Sequence, residues 1–247
     1  INCKGNNEAK IWVENYNSIT STFLWDRGNN VFYFGGNHSN EEFISEINKL
    51  IKQKIEKSAV KENYSHFKVH AQIALWNSYI KDIFKDYHIK DSIKLFYEYQ
   101  KVKVNNDKNL LPKDITIRPI DFDLLETKKI KNVEYIKQEV EWMWPSIQRF
   151  YDNGFGFVAM HEDKAVCWCT SEYVSKKMCG IGIETISEYQ NRGIATATAT
   201  TFVKYCLENN IIPYWECDID NIGSVRVAEK IDFQKASPAI FYIGKFE

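Results

Sequence analysis

The sequence predicts an α/β fold in which helices cover a mixed sheet, arranged as two domains. Three observations carry this. Apolar runs of strand length recur along the 247 residues and alternate with stretches of helical spacing. From about residue 114 their order is β-α-α-β-β-β-α-β-α-β, which lays helices on the faces of a sheet. A polar stretch with one proline, KVNNDKNLLPKD from Lys103 to Asp114, interrupts the pattern as a linker does. The expected domains are 1–110 and 111–247, the first the smaller.

In the first part, AKIWVENYN and TFLWDRGNNVFYFGG alternate as strands, with Gly28-Asn29-Asn30 as a hairpin turn. SNEEFISEINKLIKQKIEK follows with helical spacing. Ser39 or Asn40 suits its cap, and Glu41 and Glu42 suit the positive end of its dipole. Phe43, Ile44, Ile47, Leu50, Ile51 and Ile55 mark its apolar face. HFKVHAQIAL reads as a strand, WNSYIKDIFKDY as a helix and SIKLFYEYQKV as a strand.

In the second part, DITIRPI is a strand ended by Pro119. DFDLLETKKI and NVEYIKQEVEWMW are helices, the second closed by Pro145. GFGFVAMHEDKAVCWCTSEYV is a hairpin turned at Glu162-Asp163, and KMCGIGIETI is a central strand. ISEYQNRGIATATATTF then leaves that strand through a tight corner into a helix that stops near Asn209-Asn210. IIPYWECDI is a strand, SVRVAEKIDF a short helix and AIFYIGKF a closing strand.

Composition narrows the function. Apolar residues make up 44% and charged residues 26%, ordinary for a soluble globular chain. The net charge of -1 gives no general attraction to nucleic acid or to an anionic membrane. No apolar run approaches the roughly 20 residues of a membrane span. No signal-peptide layout is visible, so the cytoplasm is the expected compartment. The six cysteines lack paired CxxC spacing and the five histidines form no ligand pattern, so no metal is expected. Cys217 reads as a buried free thiol more readily than as an acyl acceptor.

The corner at 190–196 carries chemistry. Unpartnered N–H groups gather at a helix start, with about half a positive charge from the dipole. Such a place suits a phosphate or pyrophosphate. Gly193 lets the backbone approach the anion closely, and Ala195 keeps the next position small. Arg192 adds a cation, while Gln190 and Asn191 can order the loop by hydrogen bonding. The helix that follows is rich in threonine, a weak helix former, so packing must hold it.

These residues resemble a known family. Gln190, Gly193 and Ala195 fill the pattern Q/R-x-x-G-x-G/A. Ile183-Glu184-Thr185 precedes it on an apolar strand, and PYWECDI follows its helix. In NIGSVRVAEKIDF, Asn221, Ser224, Lys230 and Phe233 match a second motif. Together they resemble the GNAT superfamily of acyl-CoA-dependent N-acyltransferases, over roughly residues 114–247, and a bacterial subgroup with an extra N-terminal domain.

The resemblance implies a GNAT-like fold in the C-terminal half, and acetyl-CoA as donor with coenzyme A as product. It implies that the strand of Ile183 to Thr185 splays from its parallel neighbour YWECD, so that backbone groups at Thr185 bond the pantetheine arm. Gln190, Asn191, Arg192, Gly193, Ile194, Ala195 and Thr196 would then form the pyrophosphate corner, Asn221 would contact the cofactor, and Ser224 would open the next helix. The acceptor would be the amine of a small molecule or peptide. Glu184 and Glu216 are the base candidates. A carboxylate needs a raised pKa for that task. Glu184 reads equally as a strand glutamate paired with a neighbour, and Glu216 as a solvated edge residue. Trp142 and Trp144 suit the wall of an acceptor pocket or ordinary helix packing.

The departures set up an alternative. Many GNAT enzymes carry a tyrosine acid where this chain has Ala228, and a glycine where it has Asp232. A catalytically weak CoA-binding sensor or interaction module is therefore the rival reading. The order strand-helix-strand-helix-strand from Val31 to Val102 is similar to the cofactor half of a GNAT domain. Its FGGNHSNEEF lacks the arginine and the motif spacing. A degenerate GNAT-like half is one expectation for the N-terminal domain; substrate gating or homodimer formation is another.

Overall fold

The computed structural model describes residues 8–62, 64–100, 111–127, 129–175 and 177–246. Of the linker stretch, residues 103–110 lie outside the described residues. Contacts divide the chain into two units, and the division falls inside a strand: Glu8–Lys94 with Ala239–Glu247 form one, and Leu95–Pro238 belong to the other. Among the described residues no helix is long and apolar enough to cross a membrane.

In the first unit, strands β1 (Ala9–Val13), β2 (Ser21–Asp26) and β3 (Val31–Gly36) form an antiparallel meander. Strand β4 (His66–Ala71) runs parallel to β3. The strand Ala239–Lys245 lies antiparallel between β4 and the start of β5 (Lys90–Tyr99). The sequence reading assigned this closing strand to the C-terminal domain; it belongs with the N-terminal strands instead. Phe241 opposite His70 and Ile243 opposite Lys90 fix its register. The core is aromatic, with Phe23, Trp25, Phe32, Phe34, Phe67, Trp76 and Phe84 in one cluster.

Asn40 caps α1 (Glu41–Leu50), its side chain accepting from the Phe43 amide. One wide π turn, Ile51–Ile55, follows, and α2 (Glu56–Lys61) continues the rod. Phe43, Ile47, Ile51 and Ile55 are all buried. Residues spaced by four drift around a helix of 3.6 residues per turn, and the wide turn returns the last of them to the buried stripe. Helix α3 (Asn77–Ile83) packs beside it.

In the second unit the sheet order is β5, β10 (Ile212–Asp218), β9 (Met178–Thr185), β8 (Lys164–Glu172), β7 (Gly156–His161) and β6 (Ile115–Pro119). Strands β7 and β8 are the expected hairpin, with Glu162 in the left-handed region at its turn. Strand β11 (Phe233–Lys235) pairs with Tyr97–Tyr99 of β5; with the label β12 for Ala239–Lys245, the strands are complete among the described residues.

Helices α4 (Phe122–Glu126), α5 (Val133–Met143) and α6 (Ile147–Asn153) cover one face of this sheet. Helix α7 (Ile194–Glu208) covers the other, with α8 (Ile222–Lys230) beside it. The first of the predicted helices is shorter than DFDLLETKKI suggests, with Asp121 as its cap. Helix α6 was not expected. It has seven residues, too few to show periodicity, and Ser146 caps it directly after Pro145.

Candidate active site

The corner begins where β9 ends. The Gln190 side-chain Nε2 donates to the Thr185 carbonyl at 3.0 Å and ties the turn to the strand that feeds it. Asn191 and Gly193 both have positive φ, 59° and 79°. For Asn this is tolerated; for Gly it carries no steric cost. No side chain caps α7, so the amides of its first turn point out of the corner. Four side chains close a ring beside it. The Arg192 guanidinium lies 5.0 Å over the Tyr189 ring and reaches Asp114 Oδ2 at 3.5 Å. The same oxygen sits 3.3 Å from His161 Nε2, and His161 Nδ1 is 2.5 Å from the Tyr189 hydroxyl. No feature of the sequence marks Asp114 or His161 as part of this corner. The pairing of Ile115 with His161 brings them together, and no motif encodes it.

Within α7 the threonines bond their own backbone. Thr198, Thr200 and Thr201 donate to the carbonyls four residues earlier, at 2.9, 2.7 and 3.1 Å. That satisfies those three hydroxyls and lets Thr198 be buried against the sheet with Ile194, Ala199 and Phe202.

Strands β9 and β10 run parallel but pair only at Met178, Cys179 and Gly180, opposite Ile212, Pro213 and Tyr214. Both continue, to Thr185 and to Asp218, without further ladder pairs between them. The strands thus part beside the corner. On α8, Asn221 accepts from the Ser224 amide at 3.0 Å, and the Ser224 hydroxyl accepts from Trp215 Nε1 at 2.9 Å. Ala228, at the position where the resemblance leads one to expect a tyrosine, is fully buried. Five described cysteines, Cys167, Cys169, Cys179, Cys206 and Cys217, are buried free thiols. Burial pushes the Cys167 thiol up to about 11, which leaves it a poor nucleophile at neutral pH.

The face of the sheet under α5 carries the carboxylates. Alternation along the strands puts Gly180, Gly182 and Glu184 of β9 on this face, with Tyr214 and Glu216 of β10. A Cβ on Gly180 would meet the Tyr214 hydroxyl at 2.9 Å. One on Gly182 would meet Glu139 Oε1 at 2.8 Å, Thr170 Oγ1 at 2.9 Å and, closer still, Glu172 Oε1. Glu184 is exposed and Glu216 half-buried. Glu139 is half-buried: its carboxylate accepts from the Trp168 indole at 2.5 Å and from the Thr170 hydroxyl at 2.6 Å. Desolvation holds its pKa above the usual carboxylate range; those two hydrogen bonds oppose the rise and the charge of Glu184 adds to it. Neither Glu139 nor Glu172 was expected. A signal existed for Glu139, which falls on the same helical stripe as the buried Ile136, Val140 and Met143. Trp144 is core, donating to the Ser171 carbonyl at 2.9 Å, whereas Trp142 is 59% exposed.

The family model of GNAT acetyltransferase matches residues 2–242. The chain belongs to the GNAT acetyltransferase family. The GNAT match spans both units. The chain is similar to the uncharacterized N-acetyltransferase YdfB of Bacillus subtilis, 27% identical over 228 residues, covering 92% of this chain and 83% of that protein. Among solved structures it shares its fold with a GCN5-related N-acetyltransferase-like protein from Streptococcus suis, at a TM-score of 0.66 and 19% identity, over 96% of this chain and 88% of that one. It also shares it with a tandem GNAT protein from the clavulanic acid biosynthesis pathway, at a TM-score of 0.63 and 8% identity, over 98% and 84%. The expected GNAT fold and the expected class of enzyme, an acyltransferase, therefore stand.

Proposed function

We propose that this GNAT enzyme transfers an acetyl group from acetyl-CoA to a primary amine of a small molecule or peptide, by direct attack of the amine on the thioester. The corner of Gln190 to Thr196 is the observation that carries the reading. It combines an uncapped helix start, a left-handed Gly193 and the Arg192 cation, at the point where β9 and β10 part. Those features fit a pyrophosphate. In this reading the amides from Asn191 to Thr196 hold the anion. Gln190 fixes the turn, and Thr185 presents backbone to the pantetheine. Asn221 and Ser224 shape the rim of the site from α8. Glu184 and Glu216 are the candidates for proton acceptor that the sequence offers. Acetyl-CoA supplies the activated acyl group. Five buried thiols suit a reducing, cytoplasmic setting, and the N-terminal unit is assigned to gating or to homodimer formation.

The buried Ala228 favours a second reading, a CoA-binding sensor with little catalysis. Calorimetry with acetyl-CoA and CoA, joined to thiol release over an amine panel, separates the two. Binding with thiol release is expected; tight binding without release favours the sensor; no binding sinks both. Gly193→Asp adds bulk and negative charge at the corner and is expected to abolish binding. Unchanged affinity in that variant would overturn the pyrophosphate assignment.

A further inference from the structure

We infer that Glu139 is the group that takes the proton from the acceptor amine. The inference rests on the transferase reading above and adds to it a residue that no motif marks. Its first support is position. Glu139 Oε1 lies 2.8 Å from where a Gly182 side chain would begin, and Gly182 is two residues beyond Gly180, the last residue of β9 paired with β10. The carboxylate therefore overlies the strand where the two strands part, on the sheet face opposite α7. Only a glycine leaves room for it there.

Its second support is orientation. Trp168 and Thr170 each donate to one of its oxygens, which fixes the group while leaving each oxygen a further lone pair. The groups facing it are acidic or neutral: Glu172 and Thr170 from β8, Glu184 from β9, and Tyr214 and Glu216 farther along the same face from β10. No cation is among the groups that shift it. Burial makes its neutral form the better tolerated one, as a proton acceptor for an amine requires. Glu184, by contrast, is exposed.

An ammonium gives one proton to the Glu139 carboxylate and becomes an amine with a lone pair. The nitrogen forms a C–N bond to the acetyl carbon as the C–S bond breaks, its electron pair leaving on sulfur. The nitrogen's second proton neutralises the thiolate to a thiol. Glu139 then returns its proton to water.

Thiol release from acetyl-CoA tests this with two probe amines, ethanolamine, which is protonated at neutral pH, and hydroxylamine, which is not. Glu139→Gln is expected to lose about 100-fold or more with ethanolamine, to lose much less with hydroxylamine, and to lose the acid limb of the kcat/KM profile. Its CoA affinity by calorimetry should match the parent, which also reports on folding. In Glu139→Ala, added formate should restore part of the ethanolamine rate. An undiminished ethanolamine rate in Glu139→Gln, an equal loss with both amines, or no formate rescue overturns the assignment while the transferase reading stands. No release by the parent protein with either amine overturns that reading and the assignment with it.

Discussion

Trp215 on β10 and Ser224 on α8 are joined by a single hydrogen bond, the indole Nε1 donating to the hydroxyl at 2.9 Å. Trp215 is otherwise enclosed by apolar neighbours. Ser224→Ala would leave its N–H without a partner, at a cost of about 1–3 kcal/mol. Urea melts should show that loss. A variant as stable as the parent would mean the bond contributes nothing.

Two glycines make opposite predictions. Gly182→Ala pushes a methyl into the oxygens of Glu139, Glu172 and Thr170, and overpacking of that kind costs about 1–3 kcal/mol. Gly223 lies within α8, and its nearest neighbour to an added methyl is Asn221 Oδ1 at 3.7 Å. Gly223→Ala should stabilise by about 0.4–1 kcal/mol, chiefly by restricting the unfolded chain. Thermal melts of the pair check both signs at once.

Asp114 offsets the charge of Arg192 beside the corner. Asp114→Asn should therefore tighten CoA binding, by about two- to five-fold for an exposed pair. In an Arg192→Met background the same change should have no effect, since the coupling runs through the guanidinium. Calorimetry on the four proteins of the cycle decides it; weaker binding in Asp114→Asn would show that the carboxylate positions Arg192 instead of competing for it.

Stability should respond to pH with two signs. The folded state raises the pKa of Glu139, so its contribution is complete below the unfolded carboxylate range of about 4.3 and is lost as pH rises through the folded value. Glu139→Gln should flatten that decline in urea melts run from acid to neutral pH. Glu14, which accepts from the Thr20 hydroxyl and the Ser21 amide, is held down to about 2. Its contribution is present above the unfolded range and is lost as pH falls toward about 2. Glu14→Gln should remove an acid-side loss and leave the neutral side alone.

The turn at the corner was legible in the sequence because its geometry is local. Gly193 and Gln190 act within a few residues of their own positions, and a short pattern can hold them. The hairpin of β7 and β8 was legible as two continuous apolar runs joined by the short polar turn at Glu162-Asp163. The setting of Glu139 was not, because it depends on Trp168 and Thr170 across a helix–sheet contact that no spacing records. Asp114 and His161 were hidden in the same way by strand register. The assignment of β12 failed because AIFYIGKF says that it is a strand but not which sheet it joins. Short α6 lacked the length to display a period.

Strand β12 has a consequence for how the molecule is made. The unit that starts at Glu8 takes a strand from residues 239–245, after the whole of the other unit has been synthesised. On a ribosome, β1 to β4 emerge early and must wait with β4 lacking one neighbour, while β6 to α8 are delivered in an unbroken run. The later-made unit can therefore mature first, and the earlier-made one finishes last. A chain that stalls before Ala239 would leave the backbone edge of β4 open to foreign strands, an exposure that ends only when residues 239–245 arrive.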